Sequence, residues 1–238
     1  MGTEQSKQTD VRRGVIRRFI QVVFGVLIQG GAMFGSARRL DWGWGWALIG
    51  VGVGFILVNA LLLTRRDPEL IAERGRVTGG NIKRWDRPLA GIVSLWGPLA
   101  IWIVSGLDDH ADWSPDLAIW IHWVALVLVL LGYVMWGWAM NSNPFFAGFV
   151  RIQEERGHTV ATKGAYRLVR HPGYAGMTLF TLMTPLMLGS LWGLIPAGLT
   201  VMVGIVRTAL EDRTLLAELP GYQEYAQRTR YRLLPGVW

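Results

Sequence analysis

The sequence contains no cysteine, and only 17% of its 238 residues are charged. The first absence removes disulfide scaffolds and thiolate-held metal centres. The second leaves too little polar surface for a soluble domain, in which about a quarter of residues carry charge. No Gly-x-Ser-x-Gly element supplies a hydrolase nucleophile. His110, His122, His158 and His171 stand apart, with no pair spaced to share one helix face around a metal. The run Gly50-Val51-Gly52-Val53-Gly54 lacks the Lys-Ser/Thr ending of a phosphate loop. Its small-residue spacing predicts close helix packing instead.

What is present is apolar. Hydrophobic residues make up 51% of the chain, gathered into stretches long enough to cross about 30 Å of hydrocarbon. Six spans are expected, at 19–37, 42–64, 89–107, 117–140, 172–189 and 191–210. The fold class is therefore all-α, a polytopic integral membrane protein forming one structural domain. Residues 1–140 read as a four-span scaffold, and 141–238 as the region that carries the chemistry. The first span follows Arg12, Arg13, Arg17 and Arg18 and closes on Gly35-Ser36-Ala37, which resembles a cleavage site. It exceeds the roughly 7–15 apolar residues of a secretory signal, so it reads as a retained anchor.

The net charge of +7 is unevenly placed. With the N-terminus inside, every Lys and Arg except Arg38 and Arg39 falls on one side. Asp108, Asp109, Asp112 and Asp116 lie on the other. This positive-inside pattern predicts two cytoplasmic termini and accounts for the charge without nucleic acid. Trp42, Trp44, Trp46, Trp113, Trp136 and Trp138 sit at span ends, where an interfacial aromatic belt is expected. His122, inside the fourth span, is expected to hydrogen-bond a neighbouring helix.

The segment from Asn141 to Gly176 is polar and glycine-punctuated, and it enters the fifth span through Arg170-His171-Pro172. Proline suits a first helical position. That places His171 at a helix start, beside free N–H groups and the positive dipole end. Tyr174 offers a hydroxyl and an aromatic face there, and Gly176 would leave room against the backbone. The sixth span should continue past its apolar part to about residue 218, carrying Arg207 and Glu211 to the basic side on one helix face. Ionisable groups at a membrane edge are candidate site residues. A tail with Tyr222, Tyr225 and Tyr231 follows, expected to fold back on the membrane face.

RIQEERGHTVATKGAYRLVRHPGYAG, with the later RTALEDRTLLAELPGYQEYAQRTRYRLLPG, resembles the isoprenylcysteine carboxyl methyltransferase family and the related phospholipid N-methyltransferases. Glu211-Asp212 stands where the family usually has Glu-Glu, and Ala165 where it has proline. The resemblance implies an enzyme that moves a methyl group from S-adenosylmethionine to a lipophilic carboxylate, thiol or amine, with no metal. It implies cofactor contacts at Arg170, His171, Tyr174, Gly176, Tyr166 and Glu211, with Arg207 and Glu211 at the reacting end. A lipophilic small molecule or lipid is the expected partner, and the bilayer its source. Two rivals remain: a sterol-reductase-like enzyme using NADPH, whose terminal pattern is similar, and a non-catalytic transport or assembly protein.

Overall fold

A computed structural model describes residues 2–66 and 82–238, with side chains from 19 to 61 and from 82 onward. Most of the basic loop expected at 65–88, and the arginine side chains of the N-terminus, lie outside the described residues. The helices are α1 (Gly2–Ala37), α2 (Gly43–Arg66), α3 (Asp86–Ala111), α4 (Ile119–Ser142), α5 (Pro172–Leu188), α6 (Leu194–Glu218) and α7 (Tyr222–Arg228). Among the described residues there is no strand.

Five helices are long and apolar enough to cross a bilayer: α1, α2, α3, α4 and α6. The expected fifth span, 172–189, is the departure. α5 has 17 residues, about 25 Å at 1.5 Å per residue. Gly189, at φ 85°, ends it in the left-handed conformation that glycine adopts without a Cβ penalty. α5 packs against α4 and α6 inside the bundle.

Side-chain periodicity sorts α6 into two faces. Ile195, Leu199, Met202 and Val206 point outward and are exposed, as a surface in lipid requires. Ala197, Thr200, Gly204, Arg207, Thr208 and Asp212 follow the helical repeat on the other face and are buried. The same geometry that gives lipid an apolar stripe therefore turns Arg207 and Asp212 into the bundle.

The glycine run on α2 does not make the close packing expected of it. A Cβ at Gly50 or Gly54 would meet nothing within 4 Å, so among the described residues no helix is seated against these two glycines. Close approach occurs instead at Gly132 and Gly176, where α4 and α5 cross backbone to backbone. A Cβ on Gly176 would lie 2.6 Å from the Gly132 carbonyl oxygen, and one on Gly132 would lie 2.7 Å from that of Gly176. Gly97 meets Thr200 in the same way, and Gly106 meets Ser36 and the Met33 carbonyl. Small residues let backbones approach where lipid supplies no hydrophobic drive. Gly176→Val is expected to destabilise the protein by about 1–3 kcal/mol through overpacking. A fall in the thermal midpoint of the detergent-solubilised protein checks this, with Gly50→Val as the near-neutral control.

α3 contains a π turn at Ile92–Trp96, immediately before Gly97 and Pro98. The proline lacks the N–H that would bond back one turn, and the extra residue swings Gly97 against Thr200 of α6. At the far end of α3, Asp108 is buried. It accepts from the Ser114 amide and hydroxyl (both 2.7 Å), from the Ser190 hydroxyl and from the Trp192 amide. One carboxylate on α3 thus ties the α3–α4 and α5–α6 connections together.

The tryptophan belt is partial. Trp46 and Trp113 are exposed, but Trp42 is buried against Phe34. Trp44 stacks on His122 at 5.0 Å, and Trp136 stacks on Phe55 at 5.2 Å. Aromatic partners within the bundle outcompete the interface for those rings. His122 Nδ1 lies 2.9 Å from the Met187 carbonyl oxygen, the neighbouring-helix bond expected of it.

Candidate active site

The start of α5 is held by backbone bonds from the chain's tail. Arg170 N–H donates to the Tyr231 carbonyl and His171 N–H to that of Arg232, both at 2.9 Å. His171 is the N-cap, and its carbonyl accepts from Ala175 N–H at 3.2 Å. The tail therefore closes on the start of α5.

Asp212 is the centre of this end of the bundle. Its carboxylate is fully buried. It accepts from Arg170 Nη2 (3.0 Å), Tyr222 Oη (3.0 Å) and Arg232 Nε (2.7 Å), and it lies 3.1 Å from His171 Nε2. Arg170 Nε is 2.9 Å from Asp212 Oδ1 but out of line for a hydrogen bond. That contact is electrostatic only, and Nη2 makes the bond. A buried charge is tolerated when its lone pairs are filled in this way.

Tyr174 Oη donates to Glu211 Oε2 at 2.7 Å. The Arg207 guanidinium lies over the Tyr174 ring, 5.5 Å from its centroid. Arg207 is paired with Asp86, through Nε to Oδ1 at 2.6 Å and Nη2 to Oδ2 at 3.0 Å, and its Nη2 also donates to the Gly148 carbonyl at 2.8 Å. Asp86 further accepts from Val150 N–H at 2.7 Å. The first turn of α3, the middle of α6 and the 143–151 loop are therefore joined by one bidentate pair.

A cavity of about 400 Å³ runs along these residues, within the usual range of ligand sites. One end is bounded by Tyr166, His171, Tyr174, Glu211, Arg207 and Tyr222. The other passes between Val93, Pro98, Trp102 and Phe180 towards the middle of the bundle. Tyr166 Oη accepts from Asn143 Nδ2 at 3.3 Å, and its carbonyl accepts from Tyr225 Oη at 2.7 Å. Burial pushes the Tyr225 hydroxyl up to about 12 and raises that of Tyr166. Both stay protonated, as donors or packing faces.

Of the residues expected at a site, Arg170, His171, Tyr174, Tyr166, Arg207 and Glu211 all line this cavity. Gly176 does not. The room it leaves is filled by α4 at Gly132, so its small size serves helix crossing. Asp86 and Asn143 were not anticipated. Asp86 sits on the part of the chain read as scaffold, so residues before 141 build the site too. Asp212 was noticed only as a motif variation, yet it has more partners than any other carboxylate of the site.

His158 also lines the cavity and packs on Phe145 at 4.5 Å between ring centroids. Its Nδ1 accepts from the Gln153 N–H at 3.3 Å, which fixes a neutral ring. Burial lowers its pKa from the ordinary 6.5, helped by the Arg156 and Arg151 cations and opposed by Glu155. A base lowered on folding binds fewer protons folded than unfolded. Its contribution is complete above about pH 6.5 and fades as pH falls towards the depressed value. The thermal midpoint of the protein is expected to fall on acidification below about pH 6.5, and His158→Gln to flatten that fall. Thermal melts at a series of pH values check it.

Residues 120–219 match the phospholipid methyltransferase family. A probable protein-S-isoprenylcysteine O-methyltransferase of Oryza sativa subsp. indica is 31% identical over 111 residues, covering 45% of this chain and 58% of the rice protein. Protein-S-isoprenylcysteine O-methyltransferase B of Arabidopsis thaliana is 28% identical over 112 residues, covering 46% and 57%. The chain thus spans somewhat over half the length of the curated relatives it matches. The family resemblance holds over residues 120–219, a stretch that takes in nearly all of α4 and the whole of α5 and α6 and ends before the tail from residue 220.

Proposed function

We propose, from a C-terminal region related to the isoprenylcysteine carboxyl methyltransferases, that this protein is a membrane-embedded methyltransferase using S-adenosylmethionine. The observation that carries the reading is Glu211. Its carboxylate faces the cavity, holds one tyrosine hydroxyl, and makes no ion pair among the described residues. A carboxylate left so at a membrane edge suits a cationic ligand. Aromatic faces beside it suit a sulfonium. The donor set therefore fits the cofactor.

In this reading Glu211 and His171 hold the cofactor, with Arg170, Tyr174 and Tyr166 around it, and Arg207 orients the acceptor. S-adenosylmethionine supplies a methyl group already activated for transfer, so the protein need provide no covalent nucleophile. Its own share is alignment and exclusion of water, and alignment is worth roughly 7–11 kcal/mol. Asp212 fixes the arginine and imidazole, and Asp86 fixes Arg207. The apolar end of the cavity receives a lipophilic acceptor drawn from the bilayer. The cofactor end faces the cytoplasm, where the basic loops lie.

The test is purified full-length protein in nanodiscs, incubated with methyl-labelled cofactor and fractionated lipid extract. Saturable cofactor binding and label in a lipid-soluble product are expected. A chain that binds NADPH and not S-adenosylmethionine would overturn the reading.

A further inference from the structure

The head-group end of the cavity is electrically balanced. Glu211, Arg170 and Arg207 line it, and behind them Asp86, Asp212 and Arg232 pair with those guanidiniums and with each other, giving three charges of each sign. Arg151 also lines the cavity but pairs with Glu155 at 2.7 Å. Arg170 and Arg232 are spent on Asp212. That leaves Arg207 as the cation facing the apolar chamber, and Asp86 takes it edge-on through two nitrogens. The Asp86 side chain is fully buried and that of Arg207 is 10% exposed, so water screens the pair little. Nη1 remains, without a bond among the described residues, as a donor whose charge is already compensated.

A carboxylate entering such a place would give up its hydration for a cation that has a closer, bidentate partner. An uncharged head gives up far less, and Nη1 can still orient it by a hydrogen bond. Resting on the methyl-transfer reading, we infer that Asp86 is a specificity-determining residue. It makes the acceptor subsite select an uncharged nucleophilic head, a thiol or hydroxyl on an apolar tail, over a carboxylate. Asp86 lies before residue 120, where the family match begins, so this selection comes from the part of the chain outside that match.

The test is equilibrium binding of tritiated dodecanethiol, dodecanol and dodecanoate to the full chain in nanodiscs. It is run without methyl donor at about pH 8.5, against empty discs. The three probes share one tail, so differences report the head alone. The wild-type protein should bind the thiol and the alcohol at least about tenfold more tightly than the carboxylate. Asp86→Asn, which uncovers the Arg207 charge, should shrink that gap at least about tenfold. Asp86→Leu/Arg207→Met, neutral and without a buried charge, should keep the wild-type order. Dodecanoate binding as tightly as the neutral probes in the wild type overturns the inference, whether or not the variants fold. So does an Asp86→Asn protein that folds and keeps the wild-type order. Because no methyl donor is present, failure here is separate from failure of the protein to bind S-adenosylmethionine or label a lipid.

Discussion

Asp212→Ala is expected to abolish measurable cofactor binding and to lower stability by about 3–5 kcal/mol, the cost of leaving buried cations unpaired. The loss is large because two guanidiniums, an imidazole and a hydroxyl converge on one carboxylate. Arg170 and His171 are both buried, and Arg232 and Tyr222 complete the set. Without the carboxylate, the buried Arg170 guanidinium is left facing that of the partly exposed Arg232. The tail segment that bonds Arg170 and His171 through its carbonyls loses its anchor as well.

Asp212→Asn separates charge from shape. The amide keeps the volume and can still accept from Tyr222 and one arginine, but it cannot balance two cations. It should recover part of the midpoint lost by the alanine variant while cofactor affinity stays low. Thermal melts of both variants with and without S-adenosylmethionine check this. The wild-type melt should rise with added cofactor by mass action, and the alanine variant should show no rise. Equal melting of Asp212→Ala and wild type would show that the carboxylate is not what holds this end of the bundle.

How much of this was legible beforehand depends on range. The apolar stretches and the turn of α6 that carries Arg207 and Glu211 to one face are local periodicity, and they follow from composition and a 3.6-residue repeat. The position of His171 before Pro172 is likewise local. Asp86 is not. It lies 121 positions from Arg207 in the chain, and no spacing rule links an acid at the start of one helix to an arginine in the middle of another. Gly176 shows the opposite failure. Its place in a motif suggested room for a ligand, whereas the neighbour that fills the room, Gly132, is known only once α4 and α5 are seen to cross. The α2 glycines had the right spacing for helix packing but no partner helix, which sequence spacing alone does not supply.

Glu211→Gln should leave the fold intact and remove cofactor affinity selectively. Glu211 is half-buried, and its one hydrogen bond among the described residues comes from Tyr174 at 2.7 Å. A glutamine carbonyl oxygen can accept that same bond, so the melting midpoint without ligand should move little. What the amide cannot do is offset a ligand's positive charge. A charge-assisted hydrogen bond is worth about 1.5–3 kcal/mol, which is roughly ten- to a hundredfold in dissociation constant. Tyr174→Phe supplies the contrast, since it releases the Glu211 oxygen without removing its charge. Its cofactor affinity should fall less than that of Glu211→Gln. If Tyr174→Phe costs more than Glu211→Gln, the hydroxyl rather than the carboxylate faces the ligand, and the assignment of Glu211 to a cationic group is wrong. Isothermal titration of the two variants against one cofactor stock decides between them.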